Sequence, residues 1–235
     1  MFVLNFLQAR LSLVKTKPTS AKESLMTNRL NSAHQGSLEV VCGPMFSGKS
    51  EELIRLLRRA HIAKQKVLVF KHRFDDRYHS TALASHDGNT VDAIPVANVC
   101  EMQAFLDNNP ATVIGIDEVQ FFSKNIVSLI CEQVNAGKRV IVAGLDLDFR
   151  GVPFGCMPLL LAIADKVTKL QAICTLCGGD AHFTQRLING VPANYSDPVI
   201  VVGTHESYQA RCRACHVIDK IPTFNEHQYN EQNTL

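Results

Sequence analysis

The stretch Gly43-Pro44-Met45-Phe46-Ser47-Gly48-Lys49-Ser50 limits the possible folds of this chain more than any other. An apolar run, Leu38 to Cys42, precedes it, and Glu51 to Arg59 follows with Leu53, Leu56, Leu57 and Ala60 on one helical face. Strand, glycine-bounded loop and helix start is the order a phosphate-binding loop requires. Backbone N–H groups of such a loop, backed by the positive end of the helix, point at the phosphates of a nucleotide. Gly43 to Ser50 is therefore the candidate phosphate cradle. Lys49 is expected to reach the β- and γ-phosphates, and the Ser50 hydroxyl to hold Mg²⁺.

Periodicity after the loop repeats one theme. Val67-Leu68-Val69-Phe70, Val113-Ile114-Gly115-Ile116 and Arg139 to Gly144 are short apolar runs of buried-strand type, and Val167 to Ile173 suggests one more. Between them lie helical patterns: one over Val99 to Leu106 capped by Asn98, another across Ile126 to Val134 capped by Ser123 and stopped by Gly137. Alternating strands and helices predict an α/β fold, a parallel sheet flanked by helices. Such sheets bind ligands beyond the carboxyl ends of their strands, where the loop, Asp117-Glu118 and Leu145-Asp146 all fall. Past Cys174 the pattern breaks into short pieces with turn signals, among them the hairpin pair Asn189-Gly190.

Asp117 directly follows an apolar strand, the place where a nucleotide enzyme keeps a carboxylate for Mg²⁺. Glu118 comes next, and alternation along a strand would turn it to the other side, free to face a substrate. Two classes use such a glutamate: ATPases aim it at water, kinases at an acceptor hydroxyl. Asp75 and Arg77, in the polar stretch after the second strand, are either a solvated loop or ligand contacts. Phe121, Phe122, Phe149 and Phe154 read as core; Met45, inside the loop, does not.

Eight cysteines divide into two sets. Cys42, Cys100, Cys131 and Cys156 are scattered in apolar stretches and read as small buried hydrophobes. Cys174-Thr175-Leu176-Cys177 and Cys212-Arg213-Ala214-Cys215 have the internal spacing that lets four thiolates share a tetrahedral Zn²⁺. His216 is a fallback ligand. With no position left for water, that site would be structural. Metal-type cysteines beside a nucleotide loop belong in a reducing compartment, so the cytoplasm is expected.

A formal charge of +2 leaves no global footprint for nucleic acid, and no run approaches the length of a membrane span. Neither a nucleic-acid nor a membrane partner is expected. Residues 1–36 form an extension that is basic and free of acids before Glu23. It reads as a disordered arm, an over-long start before Met26, or a transit peptide. The remaining expected divisions are a nucleotide-binding domain at 37–172, a zinc-binding, substrate-covering domain at 173–221, and a flexible tail at 222–235.

The phosphate loop with Glu52-Leu53, Asp75 to Tyr78, and Ser85 to Thr90 together resemble the type II, cytosolic-type thymidine kinases. So do Ile116 to Phe122, Gly144 to Arg150, Pro153-Phe154-Gly155 and both cysteine pairs, in the family's order across about Gly36 to Lys220. The resemblance implies a P-loop-type parallel sheet with a small zinc-knuckle and lasso-loop subdomain. It implies transfer of the γ-phosphoryl of ATP to the 5′-hydroxyl of thymidine, in nucleotide salvage for DNA synthesis. Glu118 matches the general base; Lys49, Ser50, Asp117, Gln120 and Arg77 match residues around the phosphates and Mg²⁺. Asp75, Met45, Phe121, Leu145, Phe149 and Thr184 match the nucleoside pocket, and Val199, Val201 and Tyr208 the stretch wrapping the thymine. The family also implies a homotetramer inhibited by dTTP. The main rival reading of the residues is a zinc-containing ATPase acting on nucleic acid.

Overall fold

In the computed structural model the described residues are 35–73, 82–84, 90–200 and 206–220, with the side chains of 82–84, 90 and 206 left aside. The chain divides into two compact units, Met1–Ala33 and His34–Leu235, and the first lies outside the described residues. So do Asp75, Arg77, Val201 and nearly all of the terminal segments.

Six strands make the central sheet: β1 (Ser37–Cys42), β2 (Val67–His72), β5 (Ile94–Val96), β6 (Val113–Asp117), β7 (Arg139–Gly144) and β8 (Lys166–Lys169). Their order is β5-β2-β6-β7-β1-β8, and each neighbouring pair is parallel. Two short strands, β3 (Ala82–Ala84) and β4 (Thr90–Asp92), pair antiparallel with each other. Because strand residues alternate in direction, β1 and β7 feed two cores. Val40 and Val142 join one, Val41, Ile141 and Ala143 the other.

Helix α1 (Lys49–Ile62) covers the second core with Leu53, Ile54, Leu56, Leu57 and Ala60, while Arg55, Arg58 and Arg59 stay exposed. Helices α2 (Val99–Asn108), α3 (Asn125–Asn135) and α4 (Met157–Ile163) bring Met102, Leu106, Ile126, Leu129, Ile130 and Met157 to the first. Asn98 caps α2 as expected, its side chain accepting the Glu101 N–H at 2.9 Å. Ser123 does not cap α3. Lys124 holds that position without a side-chain bond, and Ser123 offers only its carbonyl, to the Ile126 N–H.

The expected strand over Val167 to Ile173 is two pieces. Beyond β8, residues β9 (Ala172–Ile173) pair with β10 (Asp180–Ala181) in a separate antiparallel ladder. A three-stranded sheet follows, β12 (Val191–Pro192), β11 (Phe183–Ile188) and β13 (Glu206–Arg211), with Asn189 and Gly190 both left-handed at its hairpin. Cys42 and Cys156 are buried as expected; Cys131 is half-buried and Cys100 exposed on α2, one residue past its start.

Candidate active site

Parallel strands end at one edge, and register aligns those ends: Cys42 pairs with Gly144 on one side and Lys169 on the other. The phosphate loop leaves β1 there. Gly43 has φ 148°, and a Cβ on it would lie 2.5 Å from the Leu170 carbonyl oxygen, so only glycine fits. Gly48 precedes α1 in a left-handed conformation and places Lys49 at the first helical position. Phe46, also left-handed, is exposed.

Lys49 is 8% exposed, and its Nζ donates to the Pro44 carbonyl at 2.8 Å, back onto its own loop. The Ser47 hydroxyl donates to the same carbonyl at 2.8 Å. Met45 is half-buried, and its N–H donates to the Thr184 hydroxyl at 3.0 Å, which ties the loop to β11. Thr184 itself is buried. Thus Met45 and Thr184, 139 residues apart in sequence, meet at this edge.

Asp117 ends β6, fully enclosed. Its Oδ2 accepts the Ser50 hydroxyl at 3.0 Å and its Oδ1 the Glu118 N–H at 3.0 Å. Burial first, and the charge of Glu118 second, push the Asp117 carboxyl up to about 7. A hard divalent cation would supply the missing positive charge, and a hydroxyl beside a carboxylate is an all-oxygen donor pair suited to Mg²⁺. Glu118 is not strand backbone: β6 stops before it, and it has φ 51°, left-handed. That turn, rather than strand alternation, sets its direction.

Gln120 lies in a single 3₁₀ turn, Val119–Phe121, and is buried. Its Nε2 donates to Glu118 Oε2, and its Oε1 accepts the Leu145 N–H at 3.1 Å. Ser50, Asp117, Glu118, Gln120 and Leu145 therefore form one hydrogen-bonded chain across the edges of β6 and β7. Phe121 is half-buried, edge-on to Phe154 at 5.8 Å between ring centroids.

Asp146 is buried one residue past Leu145. Lys169 Nζ stands 2.7 Å from its Oδ2, across the end of β1. The approach is charge against charge rather than a well-aligned hydrogen bond; neither oxygen has another partner among the described residues. Phe149 is buried with the guanidinium of Arg186 5.1 Å from its ring centre. Arg186, on β11 opposite Tyr208, also donates to the Pro198 carbonyl, next to half-buried Val199. Asp148 anchors the loop that carries Phe149, accepting from Arg150 at 2.7 Å and from the Arg150 N–H at 2.9 Å. Arg186 and Asp148 escaped the sequence reading; the faint signal was a run of polar residues, Thr184-Gln185-Arg186, inside a strand.

The four paired cysteines converge. One ligand sulfur from each lies within 4.8 Å of all the others, and Cys177 Sγ is 3.6 Å from Cys212 Sγ. Tetrahedral Zn–S bonds of about 2.3 Å put sulfurs ~3.8 Å apart, so the residues fit the ion. Backbone N–H groups, that of Cys212 first, draw the Cys174 thiol down to about 6, while sharing with Cys212 and Cys177 pushes Cys215 up to about 12. Four thiols so split cannot all be anions without a dication among them. His216 is no ligand here. Its Nε2 faces the Phe149 carbonyl at 2.9 Å and its ring stacks on Phe183 at 4.8 Å. None of the described helices is long and apolar enough to cross a membrane.

A family model described as thymidine kinase matches residues 36–216. The thymidine kinase of Deinococcus deserti is 57% identical over 194 residues, covering 79% of this chain and 96% of that relative. Among solved structures, the flagellar accessory protein FlaH of Methanocaldococcus jannaschii is similar at TM-score 0.42 and 15% identity, over 66% of this chain and 80% of that one.

Proposed function

The chain belongs to the thymidine kinase family and phosphorylates thymidine from ATP in nucleotide salvage, and we propose that Glu118 is the base that activates the acceptor hydroxyl. Kinase membership removes the water-directed ATPase reading. The observation that carries the proposal is the hydrogen-bonded chain from Ser50 to Leu145. It sets a carboxylate one residue from the magnesium-type pair Ser50 and Asp117, on the edge the phosphate loop shares.

Phosphoryl transfer needs positioning and charge stabilisation more than covalent help. Loop N–H groups and Lys49 hold the phosphates, Lys49 turning from the Pro44 carbonyl toward them. Mg²⁺, held through Ser50 and Asp117, would neutralise charge developing on the phosphate oxygens. Glu118 takes the proton of the 5′-hydroxyl as its oxygen attacks the γ-phosphorus. The bond to the β–γ bridging oxygen breaks, and ADP leaves. Met45, Phe121, Leu145, Phe149 and Thr184 wall the nucleoside, with Tyr208 and Val199 beside them on the lasso. Asp75, Arg77 and Val201 complete the site on family likeness. Zn²⁺ on Cys174, Cys177, Cys212 and Cys215 staples the base of that lasso. The same likeness carries a homotetramer, inhibition by dTTP and a cytoplasmic setting.

Glu118→Gln tests the base. The variant should fold and bind ATP yet lose at least ~10²-fold in turnover, the low end for a general base. Near-normal thymidine phosphorylation would remove Glu118 from the mechanism.

A further inference from the structure

We propose that Gln120 is the positioning residue of the catalytic carboxylate: it fixes which way Glu118 faces. The inference rests on the reading of Glu118 as base and adds a second residue to it. Gln120 is 3% exposed, and both ends of its amide are taken. Nε2 donates to Glu118 Oε2; Oε1 accepts the backbone N–H of Leu145 at 3.1 Å. The backbone bond decides the amide's orientation. Were the amide reversed, its NH₂ would meet the Leu145 N–H and its oxygen the carboxylate, two repulsions in place of two bonds.

Two glycines let the chain close around this residue. Gly144, which precedes Leu145, passes so close that a Cβ there would lie 2.6 Å from Gln120 Oε1. At Gly155 a Cβ would lie 2.4 Å from the Gln120 carbonyl oxygen. Gly144 thus admits the side chain's amide at the end of β7, and Gly155 lets the turn before α4 pass against the residue's backbone.

The chemistry explains why a base would need it. Asp117 stands beside Glu118, its Oδ1 accepting the Glu118 N–H at 3.0 Å, so the catalytic carboxylate sits against a second one and needs its direction fixed. A donor on Oε2 fixes that oxygen with a charge-assisted hydrogen bond and leaves Oε1 to accept the proton. Because the amide's other end is fixed by Leu145, a pocket wall on the family likeness, the base is aligned to the wall that positions its substrate. Gln120 spends both amide ends on the protein, which gives it a task other than gripping phosphate.

Two variants test this, with kcat followed against pH and both KM values measured. Gln120→Met keeps the length without the hydrogen bonds. Its kcat should fall about 10- to 100-fold, the range for a bond to a charged group. KM for ATP should stay within about threefold, so that the loss falls on kcat rather than on binding. Gln120→Glu keeps the shape. When protonated it can donate the same bond, so its kcat relative to Gln120→Met should climb as pH is lowered. A raised KM for ATP with unchanged kcat in Gln120→Met would show a phosphate contact and overturn the proposal. If Gln120→Met does not fold, Gln120→Glu decides alone: a kcat–pH profile like the parent's overturns it. Glu118→Gln, run beside them, separates the two readings. An active Glu118→Gln defeats the base itself, whereas an inactive one with parent-like Gln120 variants defeats only the positioning role.

Discussion

Around the parallel sheet, Leu53, Leu57, Ile114, Ile126, Ile141 and Met157 are wholly buried, and each adds about 1.5–3 kcal/mol of apolar burial. Around the cysteines the buried cluster is Ala172, Cys174, Ala181 and Ala210. The first region is held by two cores, the second by side chains too small to exclude much water. What the second has instead is four convergent sulfurs and polar ties such as Gln185, whose amide bonds the Val217 backbone at 2.8 and 3.0 Å. One region keeps its shape by volume, the other by cross-links. The division follows the proposed labour, since the sheet carries the phosphate chemistry and the stapled region closes the nucleoside wall with Thr184, Val199 and Tyr208.

The sharpest way to break that contrast is to remove the metal. Chelation, or Cys212→Ser, should collapse amide-exchange protection in β11 and β13 while β6 and β7 keep theirs. KM for thymidine should rise by at least ~10²-fold and that for ATP far less. Equal losses for both substrates would mean the cysteines hold the sheet as well. A smaller effect of opposite character is expected from Leu57→Ala. It empties a site against Gly115, whose missing Cβ is what lets Leu57 approach. Global stability should fall by about 2–5 kcal/mol in a denaturant titration, with both KM values little changed. The smallest change probes the seam. Thr184→Val deletes the acceptor for the Met45 N–H and should cost about 1 kcal/mol of the coupling between nucleoside and ATP binding. Titrating each ligand with and without the other measures that coupling; unchanged cooperativity would show that the regions act independently.

Much of the sheet was legible because its signals are local. The loop spacing, the buried runs of β2 and β6, and the Asn98 cap each declare themselves within a few residues. The cysteine pairs were equally plain, since thiolate spacing follows from metal geometry. What stayed hidden depends on partners far along the chain. Nothing near Arg186 announces that it is 1% exposed beneath Phe149, and nothing near Gln120 announces Leu145. Glu118 stood out as a candidate, but its direction was argued from strand alternation, which fails because the strand ends one residue earlier. His216 misled by proximity: adjacent to Cys215 in sequence, its ring is committed to Phe149 and Phe183 instead. Lys169 gave no sign of its partner, because the pair spans the strand between them.

That last pair bears on how a polyanion can settle at the sheet edge at all. Burial first, and the enclosed charge of Asp146 second, raise the neighbouring Cys42 thiol to about 11, with Lys169 acting on the same sulfur in the opposite sense. Left alone, Asp146 would set a repulsive field near incoming triphosphate. Lys169, 2.7 Å from its Oδ2, screens it, so the potential at the loop remains that of the amides, the helix end and Lys49. Neutralising Lys169 would therefore slow the arrival of nucleotide without touching any group that grips it.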